Sequence, residues 1–463
     1  MAKTCPTAGK SNVQAVFACI EDVTGMLQKP AADDYIVPRG NASMNQVPTS
    51  SASEELSESL NVIDQFQDAV DPGEASIPMI LRLPSDGGHM QGHALMLAAM
   101  GEVQEPDTAT AELRLEVNES ADVLPLENIT GGFFPPRGVV QIEDEKILYT
   151  SVSFTDETLV NLTGCVRGYD GTEAAIHAGA TPVTLKSRVY SQDTCRNTVS
   201  IWMKNDHLVT FGSGGVVSAT QFGMSNEGGQ TVDVTVQFRQ MGWCGRSFVS
   251  GTPSGQVLTV VDENGEPAAM AYTVGGYIRN TTQKDDNSGA GYRITVVDYD
   301  AGTITVDGGI SGWDDGDQLD AWLPSASPIG NTIESRSARV FIDGKTGKVR
   351  EGSISIGTPT EFLYEIGDEY PGESVDTKRD INMTMDAYMR AREAKELGRG
   401  YEGYEIPVAV LFGRKAGEIL SVSMPRVKMV MPEIGTDGAA FTLSRTGSVL
   451  GVKGEDALYI IQE

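Results

Sequence analysis

Strict alternation of apolar and polar side chains is the feature of this sequence that most restricts its fold. Residues 231–238 show it most clearly, with apolar side chains at every second position: Val232, Val234, Val236 and Phe238. Such a period of two puts one set of side chains on a buried face and the other in water, as in a half-buried strand. Residues 110–117 repeat the pattern, so Ala111, Leu113, Leu115 and Val117 are expected to be buried. The sequence predicts sheets with one hydrated face.

The glycine content also favours a mainly β fold. Glycine supplies 52 of 463 residues, a share of about 11 % against the usual ~7 %, which suits short strands joined by tight turns. Short helices are expected over 88–101, closed by Gly101, and over 384–397, closed by Gly398. Other strands are expected over 11–27, 77–83, 200–211, 215–222, 338–342, 406–412, 419–431 and 441–443.

Two stretches predict small β modules inserted into a longer framework. In the first, Pro135, Pro136 and Gly138 mark the start of a strand, and residues 139–147 supply a hairpin arm. In the second, turns at 264–265, 275–276 and 301–302 separate short strands, with a hairpin over 298–306. We expect a framework over 1–117, 187–255 and 329–463 that is interrupted by β modules at 118–186 and 256–328.

A polar segment covers residues 41–71 of the framework. Its centre is rich in serine and glutamate, and the segment is too long for a hairpin turn inside a compact domain. We expect it to be either mobile or completed by a neighbouring molecule.

The charge balance argues against tight binding to nucleic acid. The chain has 64 acidic and 35 basic residues and a net charge of −29, whereas DNA-wrapping proteins need clustered Lys and Arg for counterion release. Solubility is the ordinary explanation of such a balance. A more specific explanation of the acidic charge is a negatively charged channel through which DNA moves without binding.

Compartment and redox state follow from two further features. Residues 1–6 lack the apolar run of a signal peptide, and no stretch approaches the ~20 apolar residues of a membrane-spanning helix, so a soluble cytoplasmic product is expected. The cysteines form no C-x-x-C pair, so we expect reduced, mostly structural thiols, with an intersubunit disulfide outside the cell as the alternative. They are Cys5, Cys19, Cys165, Cys195 and Cys244.

His89 and His93 have the spacing that most resembles a metal site. Two histidines four residues apart on a helix can bind one ion, but no glutamate of an H-E-x-x-H pattern accompanies them. Polar-face or capping histidines are therefore the favoured interpretation. Carboxylate-rich turns over 262–265, 298–300 and 314–317 offer oxygen ligands for calcium, yet none has EF-hand spacing and Asp-Gly turns are ordinary in hairpins.

The remaining motifs favour structural roles over catalytic or ligand-binding ones. Residues 344–348 lack the order of a phosphate-binding loop and predict a turn, and the glycines at 212–215 predict a flexible hairpin tip, since no G-x-S-x-G motif occurs. Trp243, Trp313 and Trp322 are expected to pack small β cores instead of forming a sugar platform. Met385 and Met389 are expected in a helix stripe that contacts the core or another subunit. We assign no catalytic, cofactor-binding or metal-binding residue and expect no enzyme activity.

Residues of the first insert resemble a module that recurs in virion proteins of tailed bacteriophages. The resemblance covers about 132–180 and implies a particle component. Its residues are Phe133, Phe134, Pro135, Pro136, Arg137, Gly138, Glu143, Glu145, Tyr149, Gly164, Arg167, Gly168, Asp170, Gly171, Thr172, His177 and Gly179.

The framework is similar to the tail tube proteins of long-tailed phages over most of 11–117, 187–250 and 335–463. Many members of that family are much shorter, so the resemblance implies that both inserts decorate the outside of the tube. The matching features are residues 21–25, 53–56 and 98–101, a Gly-rich hairpin at 212–223, and a hairpin with arms on either side of 413–417.

The resemblance implies a structural role. Six copies would join their sheets into a ring with an inner β-barrel, rings would stack, and edge strands would become the assembly surface. It also implies a tail location in the virion after assembly in the bacterial cytoplasm. The implied partners are tape measure, terminator, and baseplate or tail-tip proteins, with a sheath if the tail contracts, while genomic DNA passes through unbound.

The sequence thus predicts a self-assembling phage tail tube protomer that conducts DNA during ejection. An acidic β-sandwich that decorates the virion or binds a receptor or glycan is the alternative, and whether the protein polymerises separates the two. A metal-dependent hydrolase is a more remote third hypothesis, which metal content after dialysis would test.

Overall fold

β-Strands dominate the structure, a computed structural model that describes residues 14–53, 64–154, 159–282, 289–310, 312–325, 330–390, 394–438 and 440–463. The expected mainly β fold is confirmed. Three bodies hold most of the strands: a nineteen-stranded main sheet, a seven-stranded insert sheet and a closed six-stranded insert barrel. Within the described ranges, no helix has the length and apolar character needed to cross a membrane.

The main sheet collects strands from three separate stretches of the chain. In Thr231–Phe238 the four alternating apolar side chains are buried, as predicted. The strands of the main sheet are Gln14–Ile20, Tyr35–Ile36, Ser43–Asn45, Gly73–Ile80, Gly101–Gln104, Arg188–Gln192, Val199–Asn205, Leu208–Met224, Thr231–Phe238, Gln240–Cys244, Arg339–Ile342, Lys345–Gly347, Glu351–Gly357, Asp380–Tyr388, Glu405–Phe412, Leu420–Met429, Glu433–Asp437, Ala440–Val449 and Tyr459–Gln462.

Strand Leu208–Met224 joins the two halves of the main sheet by changing partners along its length. Its first half pairs with Val199–Asn205 and Gln240–Cys244, and its second half pairs with Thr231–Phe238 and Glu351–Gly357. The register shifts near Gly214, which has φ +64°. A left-handed residue of this kind forms a bulge that redirects the strand. The predicted hairpin tip at 212–215 and hairpin at 212–223 are therefore wrong, because these glycines lie inside one long strand.

The buried side chain of Glu21 holds this bulge in place. Its Oε1 accepts hydrogen bonds from the Gly214 N–H and the Ser200 hydroxyl, both at 2.8 Å. Its Oε2 accepts from the Thr198 hydroxyl at 2.8 Å and the Gly25 N–H at 2.7 Å. One carboxylate thus ties the first strand of the chain to the long strand.

The insert sheet begins at residue 110 instead of the expected 118. Thr110–Leu113 pairs with both Val123–Thr130 and Pro182–Leu185, which places it in the middle of this sheet. Leu115 is 59 % exposed, against expectation, because the strand ends before it. The strands are Thr110–Leu113, Val123–Thr130, Gly138–Ile142, Glu145–Tyr149, Ser151–Phe154, Val160–Thr163 and Pro182–Leu185.

The insert barrel begins at residue 247, before the expected 256. Ser247–Val249 pairs with Val257–Val261 on one side and Gln318–Ala321 on the other, so it closes the barrel. The hairpin expected at 298–306 is confirmed. The strands are Ser247–Val249, Val257–Val261, Tyr277–Asn280, Tyr292–Asp298, Thr303–Val306 and Gln318–Ala321.

Three two-stranded ribbons complete the β structure. One lies within the polar segment 41–71, of which residues 54–63 fall outside the described residues. The ribbons pair Pro48–Ala52 with Gln65–Val70, Thr360–Leu363 with Glu373–Asp376, and Arg82–Leu83 with Asn331–Thr332.

Two α-helices are described. His93–Met100 matches the expected helix and ends at Gly101, which has φ +108°. The helix expected over 384–397 is wrong: Asp380–Tyr388 is a strand of the main sheet with Ile381, Met383 and Met385 facing the core, and a helix follows at Ala394–Glu402. Short 3-10 turns lie at Ala32–Asp34, Tyr169–Gly171, Ala269–Ala271 and Ser335–Ser337.

Both inserts share hydrophobic cores with the main sheet. Phe17 and Trp202 of the main sheet pack in one cluster with Tyr272 and Ile278 of the barrel region, and Trp202 is fully buried. The core of the insert sheet likewise takes in Val189 and Ile461 of the main sheet. Shared apolar burial fixes each insert to the main sheet.

Glu21→Ala should reduce the free energy of unfolding by at least about 2 kcal/mol, because it leaves buried donors around Gly214 without an acceptor. Chemical denaturation would measure the change. The matched control is Asp22→Ala, since Asp22 is exposed, and its effect should stay within about 0.5 kcal/mol. Equal stability of the two variants would contradict the role given to Glu21.

Candidate functional site

One end of the main sheet carries two projecting ribbons, here called the arm end. The ribbon of Pro48–Ala52 and Gln65–Val70 is exposed along Pro48–Ala52, and Phe66 is 55 % exposed. The ribbon of Thr360–Leu363 and Glu373–Asp376 lies beside it, because the Val70 N–H donates to Glu369 O at 2.8 Å. Its connecting loop exposes Tyr364 and Ile366. The arm end therefore presents apolar side chains on extended backbone.

Two arginines in the connections between main-sheet strands anchor the second ribbon. Arg196 donates to both carboxylate oxygens of Asp376 and to the Thr360 hydroxyl. Arg239 donates to Pro371 O at 2.8 Å. These bonds hold the base of the ribbon to the sheet while its tip stays exposed.

The opposite end carries a hairpin formed by Glu433–Asp437 and the first part of Ala440–Val449, here called the hairpin end. Phe441 lies two residues before Leu443, so both side chains are on the same face of the strand. Leu443 is fully buried, whereas Phe441 is 62 % exposed and Ile434, which pairs with Leu443 on the other strand, is 54 % exposed. The core-facing row of side chains thus continues beyond the core of this chain.

Helix Ala394–Glu402 lies beside this hairpin. A Cβ on Gly400 would come within 2.6 Å of Met431 Cα, so the helix approaches the backbone there at a distance that only glycine permits. Met431 and Tyr401 remain 53 % and 84 % exposed. The hairpin end therefore has its own exposed apolar surface.

The two ends are separated by the length of strand Asp380–Tyr388. Asp380 pairs with Gly357 next to the second ribbon, and Tyr388 pairs with Thr442 next to the hairpin. Nine residues of strand span roughly 27 Å. Among the described residues, the outer edge of Glu433–Asp437 pairs with no further strand. The main sheet thus has two different exposed apolar surfaces, one at each end.

Charged motif residues of the first insert form a structural lock around Glu145. Arg167 donates to its two oxygens at 2.9 and 2.7 Å, the N–H groups of Gly168 and Ala175 donate at 2.9 and 3.1 Å, and His177 Nε2 lies 2.8 Å away. These contacts tie the loop after Val160–Thr163 to the hairpin of Gly138–Ile142 and Glu145–Tyr149. The motif residues thus stabilise the insert.

The lock also sets the acidity of Glu145. Burial by itself would raise the pKa of this carboxyl, but the hydrogen bonds from Arg167, Gly168, His177 and Ala175 outweigh burial and hold the pKa at about 2. The carboxylate is therefore ionised throughout the physiological range.

His89 and His93 meet a third side chain that the sequence analysis did not assign. The two Nδ1 atoms are 3.0 Å apart. Glu105, which follows strand Gly101–Gln104, completes a group whose ligand atoms all lie within 4.8 Å of one another. Burial lowers the pKa of His93 to about 3, so its imidazole is neutral at physiological pH. Among the described residues this is the group with the composition of a metal site.

No protein-family model matches the chain. No curated protein matches it at a significant level either. The geometry described above and the resemblances noted in the sequence are therefore what bear on function.

The acidic turns use their carboxylates to stabilise their own backbone. Asp262 accepts from the N–H groups of Asn264 and Glu266 at 2.8 and 2.9 Å, and Asp298 accepts from the Ala301 N–H at 2.9 Å. Asp317 accepts from the Asp314 N–H at 2.9 Å. This is ordinary turn chemistry, as the sequence analysis favoured.

The tryptophans do not form a shared platform. Trp313 is buried against Tyr292, with ring centroids 5.4 Å apart, and Trp322 is buried with its indole N–H bonded to Gly289 O at 2.7 Å. Trp243 is 40 % exposed and its indole N–H donates to Met270 O at 3.0 Å. The first two pack the barrel region as predicted, whereas Trp243 is a partly exposed residue of the main sheet.

The loop at 344–348 is a turn, and the four described cysteines are free, whereas Cys5 lies outside the described residues. Asp343 and Gly344, both with positive φ, form the two-residue turn between Arg339–Ile342 and Lys345–Gly347, so the predicted turn is confirmed. Cys19 and Cys244 are buried free thiols, and burial raises the pKa of Cys244 to about 12. Cys195 is exposed and also free.

Sequence reasoning missed the exposed apolar residues at the two ends. Phe441 alternates with Leu443 as a core residue would, so the pattern gave no sign that Phe441 is exposed, and no strand was expected around Ile434. Glu105 was missed because it lies beyond the helix that carries His93. Only the pairing of Gly101–Gln104 with Arg188–Gln192 fixes its position.

Glu145→Gln should remove an acid-dependent part of the stability of the insert. The folded pKa of Glu145 lies below the ~4.3 of an unfolded chain, so its contribution is present above that value and is lost as the pH falls toward 2. Hydrogen exchange of residues 138–149 at pH 7 and pH 3 would show this. Glu143→Gln is the control, because Glu143 contacts the same His177 from an exposed position. An unchanged pH dependence in Glu145→Gln would contradict the lock.

Proposed function

We propose that this chain is the protomer of a phage tail tube, a structural protein that assembles into stacked rings and conducts DNA into the host. The observation that carries the proposal is the pair of exposed, unlike ends of the main sheet. A surface on one end that meets a different surface on the next copy gives a contact that repeats without limit along an axis. The phage-type motif and the tube-like framework of the sequence support the same conclusion.

Exposed apolar side chains are the driving force in this proposal. Phe441 and Ile434 extend the core-facing row of the main sheet, and burying them under a neighbouring copy would continue that core across the contact. The free edge of Glu433–Asp437 would accept a strand from the neighbour. On the other end, the arm ribbons offer extended backbone that would reach across to the next ring.

Charge favours contact between unlike ends. Residues 41–72, which include the first arm ribbon, contain acidic residues and no Lys or Arg. The hairpin end carries both signs of charge, with Arg390 and Lys428 near Glu433 and Asp437. Two arm ends would repel each other, whereas a hairpin end of mixed charge would not repel an arm end in this way, which favours a head-to-tail order.

The proposed tube has six copies in each ring and belongs to the tail of a virion that is assembled in the bacterial cytoplasm. The insert sheet and insert barrel would lie on the outer surface. Tape measure, terminator and tail-tip or baseplate proteins are the proposed partners, and a contractile tail would add a sheath. A net charge of −29 would let DNA pass without being held.

Replacing Ile434 and Phe441 by serine should abolish or strongly weaken assembly, because it removes the apolar surface of the hairpin end. Sedimentation velocity over a concentration series would compare this double variant with the unaltered chain. The control is Phe154→Ser, which changes a residue that is 72 % exposed on the insert sheet. Loss of assembly in the control alone, or in neither variant, would contradict the proposal.

Deleting residues 49–68 should leave a folded protomer that cannot stack. The deletion removes most of the first arm ribbon but keeps Ser43–Asn45 and Gly73–Ile80, which pair with each other in the main sheet. Circular dichroism would check the fold and electron microscopy the assembly. Tubes of normal length formed by this variant would refute the role of the arm.

A further inference from the structure

Away from the proposed assembly surfaces, His89, His93 and Glu105 form one cluster of side chains that can bind a metal ion. The three side chains come from different local structures: a loop, the first turn of helix His93–Met100, and the residue after strand Gly101–Gln104. Their ligand-type atoms all lie within 4.8 Å of one another. Separate elements thus bring two imidazoles and one carboxylate to a single point.

His93 Nδ1 has two close polar neighbours, more than one ring nitrogen can satisfy by hydrogen bonding. It lies 3.0 Å from His89 Nδ1 and 2.7 Å from the Tyr190 hydroxyl oxygen. A neutral imidazole nitrogen has either one proton or one lone pair, so it makes one well-aligned hydrogen bond and not two. A cation placed between the two histidine nitrogens would make the close approach favourable.

The separation of the nitrogens suits a metal of the zinc class. Imidazole nitrogens lie about 2.0–2.1 Å from such an ion, and two of them at a tetrahedral angle are roughly 3.3 Å apart. The observed 3.0 Å needs only a small opening. Calcium and magnesium prefer sites made of oxygen atoms, so two imidazoles select against them.

We propose that His89, His93 and Glu105 bind one divalent transition-metal ion, with zinc as the ion that fits best. Three protein ligands leave one tetrahedral position for water. The site shares no residue with the Glu145 lock or with either end of the main sheet, so the inference does not depend on the proposed function.

Arg188 is the positioning residue for this site. It donates to Glu105 Oε2 at 2.9 Å and to Gly88 O at 2.8 Å, so one guanidinium orients the carboxylate and the loop that carries His89. Supporting contacts of this kind are usual around metal ligands. The Tyr190 hydroxyl contacts the same Nδ1 of His93 that would bind the ion, so it would give up this contact when the ion binds.

A bound ion would fasten the loop before helix His93–Met100 to the edge of the main sheet. The loop at 85–87 lines a cavity of about 590 Å³ between the main sheet and the insert sheet, together with Arg188 and Lys186. A metal cross-link would therefore stiffen the junction at which the first insert is attached. The proposed role is structural.

The test uses the full chain after treatment with a chelator, followed by equilibration with zinc chloride and removal of free metal. Elemental analysis should find one zinc ion per chain, and cobalt(II) should give visible absorption bands that zinc abolishes by competition. His89→Ala should weaken zinc affinity by at least about tenfold. His207→Ala is the matched control, because His207 lies elsewhere, next to Arg246, and should leave the affinity unchanged.

His89 is exposed, so its replacement should not disturb folding. Glu105→Gln provides a second variant that keeps the shape of the side chain and weakens the ligand. Loss of zinc in both variants but not in His207→Ala supports the site. Zinc binding that is equal in His89→Ala and the unaltered chain, or no binding by the unaltered chain at micromolar zinc, would overturn the proposal.

Discussion

The carboxylate of Glu21 fixes the point on which the architecture of the main sheet depends. At that point Leu208–Met224 exchanges one pair of neighbouring strands for another, and Glu21 satisfies the Gly214 N–H that the bulge turns away from the ladder. A buried N–H without an acceptor would cost as much as a lost hydrogen bond. The carboxylate also binds Ser200 and Thr198, so the first strand, the long strand and their neighbour are held together.

Both inserts are attached to the main sheet through shared hydrophobic cores. The first insert leaves the main sheet after Gly101–Gln104 and rejoins it at Arg188–Gln192, two strands that pair with each other. The Glu145 lock then stabilises the first insert from within. Sequence motifs that look functional in the first insert are thus explained by hydrogen bonding within one loop and one hairpin.

Much of the fold could be predicted because alternation reports burial directly. It succeeded for Thr231–Phe238 and for the hairpin of Glu405–Phe412 with Leu420–Met429. The prediction of a helix at Met385 and Met389 was wrong, because a spacing of four residues fits both a helix and a strand. The buried row of Ile381, Met383 and Met385 decides for the strand.

The candidate sites depend on contacts between residues that are far apart in the sequence, and the alternation of apolar and polar residues does not predict such contacts. Glu105 joins the histidines only because strand pairing brings it there. Phe441 has the same spacing as buried Leu443, but Leu443 is the first buried residue of the strand and Phe441 precedes it. Residues that continue a core pattern beyond their own core mark the surface that we assign to assembly.

Electron microscopy of the purified full chain across a concentration series tests the central claim most directly. The account predicts stacked rings or hollow tubes that lengthen as concentration rises, since the two ends of the main sheet would bind head to tail. Dispersed single particles at every concentration, together with binding to a saccharide, would contradict it and favour a virion decoration protein that recognises glycans.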